Sequence, residues 1–133
     1  NEANFTECNL TNANLHRAKL YMIELSHANL TGANLSFCRV ERARLSQADL
    51  SNASLEGSFL LDTHLAGTNL QCSNLTNTTI QGGRLDKACL RGAKLQLTNL
   101  EGAKVTCIRG IPASLPEGYM LVEGTKYNAI VKV

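Results

Sequence analysis

The sequence predicts a solenoid, a fold in which short units of one length stack along a common axis. Every fifth residue from Phe5 to Val105 is large and apolar, without a break. The residue two places earlier is nearly always small, from Ala3 to Ala103, and Ile23 is the one bulky exception. A period of five matches neither a helix, at about 3.6 residues per turn, nor a strand, at about 2.0. The repeat therefore has to be interpreted as a stacked unit.

Size and composition limit the alternatives. The chain has 133 residues, which suits one domain, and its 5% aromatic content with no Trp is unlike that of a conventional globular core. A net charge of +2 does not by itself indicate an anionic partner. No run of eighteen apolar residues is present, so no membrane span is expected. The first residue is Asn1 and the repeat is already in register at Ala3, so we expect an absent upstream domain.

The repeating unit is a small residue, a polar residue, a central Leu and two further polar residues or Gly, as in residues 13–17, Ala-Asn-Leu-His-Arg. With this unit the sequence resembles the pentapeptide repeat family, whose pattern is A(D/N)LXX, over residues 3–107. The resemblance implies an all-β fold, a right-handed quadrilateral β-helix with four units per coil and about five coils. In such a tube each central Leu points inward and the small residue shares the interior.

Two details of the repeat carry structural expectations. The small inward position is Ser or Thr in the middle coils, at Ser58, Thr63, Thr68, Ser73 and Thr78. These hydroxyls need hydrogen-bond partners inside the tube, and we expect backbone carbonyls to accept from them. Glycines fall at the last position of six units, where a corner of the coil would require special dihedral angles.

The pattern stops after Cys107, and a second element follows. Pro112 and Pro116 mark a loop. Residues 119–122 and 127–133 are typical of two strands around a turn at 123–126. We therefore divide the chain into a β-helix at 1–107 and a hairpin-like C-terminal cap at 108–133, part of the same domain. Residues 115–119 with Gly124 resemble the closing segment of some bacterial pentapeptide repeat proteins of effector type.

No comparable cap precedes the repeat, so the N-terminal end is predicted to be open. An open solenoid end exposes backbone and core. We therefore expect self-association there, or contact with the absent upstream domain.

Four units per coil place residues twenty apart in one column, which converts the sequence into a surface map. Apolar residues at outward positions then converge on one side of the first three coils, edged by two cations. This candidate protein-binding surface comprises Lys19, Tyr21, Met22, Phe37, Arg39, Phe59 and Leu61. Contiguous exposed apolar residues often mark contacts. Burial of the same residues under a cap or an upstream domain is the competing interpretation.

A second column is basic and forms a candidate anion-binding stripe, Arg44, His64, Arg84 and Lys104. Its alternative interpretation is a solvated face. The two remaining sides carry columns of Asn, for example Asn9, Asn29 and Asn69. Stacked amides form ladders in cross-β structures. We therefore predict amide ladders with a structural role there.

The sequence contains no motif that is typical of a catalytic or metal-binding site. The five cysteines, Cys8, Cys38, Cys72, Cys89 and Cys107, fall in different columns, and no C-x-x-C occurs. Free thiols favour a reducing compartment, either the cytoplasm or a host cytoplasm for a delivered effector. We expect no catalytic residues, no metal and no cofactor.

Two functions follow from these observations. The first is a non-enzymatic scaffold for protein–protein interaction or targeting, with a module of a larger bacterial effector-type protein as its narrower form. The second is regulation of a nucleic-acid enzyme, because the resemblance implies that some family members mimic DNA and protect topoisomerase. That role is associated with acidic surfaces, so the +2 charge and the basic stripe disfavour it. A protein partner is expected, and nucleic acid or a membrane span is not.

Overall fold

The computed structural model describes residues 3–133, and the repeat winds into a four-sided tube. Parallel β-bridges join residues twenty apart, such as Asn4 with Glu24 and Asn9 with Asn29. We number the sides by their outward columns. Side 1 carries Asn4, Glu24, Arg44, His64, Arg84 and Lys104; side 2 Asn9, Asn29, Asp49, Asn69, Cys89 and Arg109; side 3 Asn14, Asn34, Ser54, Asn74, Lys94 and Ser114; side 4 Lys19, Arg39, Phe59, Thr79 and Asn99. The ladder thus runs past residue 107 on sides 2 and 3.

Four short strands are present, and residues 3–133 contain no helix long and apolar enough to cross a membrane. Strands β1 (Lys19–Tyr21) and β2 (Arg39–Glu41) lie on side 4 and pair in parallel, with Lys19 opposite Arg39. Strands β3 (Tyr119–Val122) and β4 (Ala129–Lys132) form an antiparallel hairpin with Leu121 opposite Ile130.

Every corner of the tube has the same backbone conformation. From Glu7 to Cys107 the last residue of each unit has a positive φ, between 51° and 70°. The unit closes a turn of type II geometry, as when the Ala28 N–H donates to the Leu25 carbonyl at 3.1 Å. Six corners are Gly, as the sequence indicated, and the others are unbranched at Cβ. Val, Ile and Thr are absent there because a branched Cβ is poorly tolerated at positive φ.

The core consists of the central residues of all four sides, which stack in four columns along the axis. Central residues from Leu25 to Val105 are at most 5% exposed. The central residues of the first coil are less buried than their inward position predicts, since Phe5 is 44% exposed and Leu10, Leu15 and Leu20 are half-buried. No described segment stacks on the upstream edge of that coil.

The buried hydroxyls bond to backbone carbonyls, as predicted, but Ser and Thr do so differently. Thr63, Thr68, Thr78 and Thr98 each donate to the carbonyl 23 residues earlier, at 2.7–2.8 Å. These bonds link neighbouring coils. Ser58 and Ser73 instead donate to the carbonyl three residues earlier, within their own turn. The interior polar groups are therefore satisfied.

The predicted asparagine ladders are wrong in their geometry. The Asn side chain before the central residue accepts a hydrogen bond from the N–H two residues later, as in Thr11 N–H to Asn9 Oδ1 at 3.0 Å. The same local contact forms at Asn29, Asn34, Asn69 and Asn74. Among the described residues, one contact joins stacked members of these columns, Asn69 Nδ2 to Asp49 Oδ1 at 3.2 Å. The Asn side chains therefore satisfy a backbone donor that the ladder leaves free.

The hairpin covers the far end of side 1. Asn128 and Ile108 exchange two backbone hydrogen bonds of 2.9 and 3.0 Å, and the Ile130 N–H donates to the Val105 carbonyl at 3.1 Å. Ile130 is buried, and Leu121 and Tyr119 pack partly against the core. The backbone edge of the last coil on this side is thus paired by an antiparallel strand.

Candidate protein-binding surface

Side 4 differs from the other three sides because it carries the two parallel strands and outward aromatic side chains. Tyr21 is 54% exposed and lies on β1, beside Lys19. Phe59 is 47% exposed and follows Arg39 in the outward column. Leu61 lies two residues beyond Phe59 and is half-buried. The stacking therefore places Lys19, Tyr21, Arg39, Phe59 and Leu61 on one side, as the sequence predicted.

Polar contacts fix part of this side. Arg39 Nε and Nη2 both contact Glu41 Oε1, at 3.0 and 2.6 Å. Arg42 Nη1 reaches the Tyr21 hydroxyl at 3.4 Å, from the following corner. Lys19, Tyr21, Arg39 and Glu41 surround a shallow hollow of about 170 Å³. The column map of the sequence did not identify this ion pair between Arg39 and Glu41.

Phe37 and Met22 lie on the corners that border side 4. The Phe37 ring covers Gly57 of the next coil, where an added Cβ would lie 2.6 Å from the ring. The Phe37 and His16 rings form an edge-to-face pair, with ring centroids 5.7 Å apart. Phe37 nevertheless remains 51% exposed. Met22 lines a different groove, with Arg42 and Arg44, which connects side 4 to side 1. The residues of the candidate protein-binding surface therefore extend over side 4 and its two corners and do not line one pocket.

The basic stripe on side 1 is in register but partly neutralised. Bridges stack Arg44, His64, Arg84 and Lys104 in one column. Arg44 Nε lies 3.2 Å from Glu24, and Arg84 Nε lies 3.5 Å from Asp86. Hydrogen bonding by the Ser26 hydroxyl, with the Ser26 N–H and the charge of Arg44, holds the pKa of Glu24 below its usual value. The stripe is therefore a mixed-charge face with Lys104 as its unpaired end among residues 3–133.

The side chains that could act in catalysis or bind a metal are spread out along the tube. Within residues 3–133 no three His, Cys, Asp or Glu side chains come together as a metal site would require. All five cysteines are free thiols; Cys38 is buried, and Cys72 and Cys107 are exposed. Burial raises the pKa of the Cys38 thiol, whose Sγ donates to the Leu15 carbonyl at 2.8 Å.

The sequence map missed one apolar surface, the outer face of the hairpin. This face exposes Met120, Val122 and Val131, which alternate with the inward residues of the same strands. That alternation was readable in the sequence once the strands were assigned. The first coil, whose end was expected to expose core, has an entirely apolar hollow whose lining includes Phe5, Leu15 and Leu20.

The sequence profile of the Pentapeptide repeats family matches this chain with eight copies, which span residues 1–21, 8–47, 23–60, 43–82 and 60–96. No curated protein matches the sequence at a significant level.

Several solved structures are similar. HetL, a pentapeptide repeat protein involved in heterocyst differentiation regulation from the cyanobacterium Nostoc sp. strain PCC 7120, is 30% identical over 81% of this chain and 55% of its own, with a TM-score of 0.61. A pentapeptide repeat protein from the Arabidopsis thaliana thylakoid lumen is 26% identical over 71% of this chain and 66% of its own, with a TM-score of 0.69.

A third similar structure is a pentapeptide repeat protein from the cyanobacterium Cyanothece 51142, which is 28% identical over 85% of this chain and 89% of its own, with a TM-score of 0.50. This chain thus spans 55% and 66% of the lengths of the first two structures. The repeat, the twenty-residue ladder and these structures agree on a right-handed quadrilateral β-helix. The chain belongs to the pentapeptide repeat family.

Proposed function

We propose that this chain is a non-enzymatic scaffold whose side 4 binds a protein partner. The observation that carries the proposal is that Tyr21, Phe37 and Phe59 are about half exposed on and beside a side whose interior is filled by Val40 and Leu60. The fold does not need these aromatic side chains in the core. Aromatic residues and Arg are the types enriched at the centres of interfaces.

The neighbouring charges suit a protein contact. The guanidinium of Arg39 is paired with Glu41, and Arg39 precedes Phe59 in the outward column. Tyr21 keeps its hydroxyl near Arg42, so the ring has a fixed polar end. Preorganised side chains lose less entropy on binding. The five free thiols support the further proposal that the chain works in a reducing compartment, such as the cytoplasm or a host cytoplasm.

The test replaces one anchor and leaves the fold intact. Phe59→Ala removes an exposed ring, so the Tm should change little, while association should weaken by at least ~2 kcal/mol, or about thirtyfold. The partner is first identified by photo-crosslinking from position 59 in the source cells. Its affinity for purified wild-type and variant chains is then measured by titration calorimetry.

The matched control is Gln71→Ala, an exposed residue on side 2, opposite side 4. This variant should bind like the wild type. If Gln71→Ala weakens association as much as Phe59→Ala does, or if crosslinks form from side 2 and none from side 4, the proposal is wrong.

A further inference from the structure

The corner glycines of residues 3–133 follow one rule, with a single exception. At five of the six corners that carry Gly, a side chain from the same corner of the preceding coil lies over the glycine. These pairs are Asn12 over Gly32, Phe37 over Gly57, Gln47 over Gly67, Asp62 over Gly82 and Cys72 over Gly92. Gly102 is the exception, because the residue before it in its column is Gly82. A Cβ added at Gly102 would meet only the Gly82 backbone, at 3.7 Å, so this corner is uncovered.

The uncovered glycine belongs to a groove along the corner between side 4 and side 1. This corner groove has a volume of about 490 Å³ and is lined by Leu61, Asp62, Gln81, Gly82, Glu101 and Gly102. These residues come from the third, fourth and fifth coils, and the two glycines contribute only backbone. Leu61 is also part of the candidate protein-binding surface, so the corner groove continues that surface around the edge of side 4.

Both charged residues of the corner groove are acidic. Asp62 and Glu101 are exposed and make no ion pair within residues 3–133. Arg42 precedes Asp62 in the corner column, but its Nη1 reaches the Tyr21 hydroxyl of the coil before. The Asp62 carboxylate lies instead over Gly82, in the coil after. The groove therefore has two carboxylates and no lining cation, in a chain whose net charge is +2.

The uncovered corner suits a planar cation. The groups that lie over the other corner glycines include a phenyl ring, two amides and a carboxylate, all of them planar. A guanidinium is also planar, stacks on flat surfaces and can donate to carboxylates on two sides. Over Gly102 it would lie one coil spacing, roughly 4.8 Å, from the Asp62 carboxylate, with Glu101 as the neighbouring residue of its own coil. Leu61 would contact the methylene stem.

A metal ion fits the corner groove less well. Asp62 and Glu101 belong to coils that are two spacings apart, roughly 10 Å along the axis. Within residues 3–133 no group of three His, Cys, Asp or Glu side chains comes together there. Metal ions that bind carboxylates need several oxygen ligands around one point.

We propose that the corner groove binds an arginine side chain of the protein partner, with the guanidinium over Gly102 between Asp62 and Glu101. The partner's contact with side 4 would then extend from Phe59 and Leu61 around the corner. This deepens the proposed function and rests on side 4 being the binding side.

The first test titrates acetyl-Gly-Arg-Gly-amide into the 133-residue chain and follows the backbone amides by two-dimensional NMR. We expect saturable shifts in the millimolar range, centred on residues 81–82 and 101–102, because these residues line the groove. The matched probe carries citrulline in place of arginine, which keeps the planar shape and removes the charge. The citrulline peptide should cause no saturable shifts there, because its hydrogen bonds to the carboxylates lose their charge assistance.

Two variants of the chain separate charge from space. Glu101→Gln removes one carboxylate and should weaken peptide binding about threefold, the size expected for an exposed ion pair. Its matched control is Glu56→Gln, the same change at an exposed position on side 3, which should bind like the wild type. Asn tolerates a positive φ, so Gly102→Asn should fold normally, and its amide should occupy the open space and abolish the shifts. Glu101→Gln keeps the test decisive if Gly102→Asn disturbs the fifth coil.

Four results would overturn the inference. The first is the absence of saturable shifts at residues 101–102 with the arginine peptide, and the second is equal binding of the citrulline peptide. The third is an equal loss of affinity in Glu101→Gln and Glu56→Gln. The fourth is the same set of shifts with magnesium chloride at equal ionic strength, which would show that the groove does not select a guanidinium.

The proposed function is judged separately. Phe59→Ala should leave the affinity for the arginine peptide unchanged, because this peptide has no apolar side chain to contact Phe59. Partner binding that depends on Phe59, without any binding of the arginine peptide, would leave side 4 assigned and the arginine site wrong. Peptide binding over Gly102, with partner binding that is independent of Phe59, would instead contradict side 4 as the binding side.

Discussion

At the scale of single residues, the strongest conformational demand of this fold is the positive φ at the last residue of each unit. Within residues 3–133, fifteen non-glycine residues have positive φ, a conformation in which Cβ approaches the following carbonyl and which costs roughly 1–2 kcal/mol each. The sequence indicated this demand only through the six glycines. The other corners were not recognisable, since residues as different as Arg42, Phe37 and Leu97 share the conformation. What they share is an unbranched Cβ.

Lys87 offers a direct measurement of corner strain. It is an exposed corner residue with φ of 63°. Lys87→Gly should raise the free energy of unfolding by up to about 1 kcal/mol, because Gly has no Cβ to strain. Lys87→Val should lower it by at least about 1 kcal/mol. Urea denaturation followed by circular dichroism provides the comparison.

The matched control for this corner is Lys94→Gly, an exposed bridge residue outside the corners. It should lose about 0.5–1 kcal/mol, because Gly in an extended segment has only an entropic cost. Losses of equal size in Lys87→Gly and Lys94→Gly would show that the corners are not strained.

At the scale of elements, the tube and the hairpin were predictable to different degrees. The period of five and the spacing of twenty identified the columns, because pitch and register are fixed by the repeat itself. The hairpin was predicted from its β-branched residues, and its strands were found at 119–122 and 129–132. Its attachment to residues 105–108 was not predictable, since nothing local in the sequence states which side of the last coil an antiparallel strand will pair.

The hairpin should stabilise the end through its inward residues alone. Ile130 is 6% exposed and its N–H bonds to Val105, while Val131 is 39% exposed on the outer face. Ile130→Ala should lower the free energy of unfolding by about 2–5 kcal/mol through lost burial and a cavity. Val131→Ala should lower it by less than about 1 kcal/mol.

Chemical denaturation of both hairpin variants provides the measurement. Hydrogen exchange at residues 105–108 should also quicken in Ile130→Ala, because the covering strand would open more often. Equal losses in Ile130→Ala and Val131→Ala would contradict the assignment of the hairpin as a cap.

At the scale of the whole molecule, the stability of each coil depends on the coils next to it. Each coil contacts only the next, so a solenoid behaves as a one-dimensional stack with nearest-neighbour coupling. The core reflects this: central residues are buried from the second coil onward, and the first coil is half open. The candidate surface follows the same logic, because stacking alone brings Tyr21 and Phe59 to one side. Its ion pairs and hollows depend on rotamers, which a column map does not contain.

This coupling predicts that one substitution has different consequences at different levels of the tube. Leu55 is 1% exposed in the middle of the tube, whereas Leu15 is half-buried at its open end. Leu55→Asp buries a charge with no partner and interrupts both neighbouring interfaces, so the cooperative fold should be lost. In Leu15→Asp the carboxylate can reach water through the open end, and only the first coil should fray. Hydrogen exchange should then show rapid exchange confined to residues before about 24, with the amides from Leu25 onward still protected.

A Leu55→Asp chain that unfolds cooperatively at near-native stability would contradict the stacked architecture. A Leu15→Asp chain that loses all protection would show coupling across the whole tube instead of between neighbouring coils.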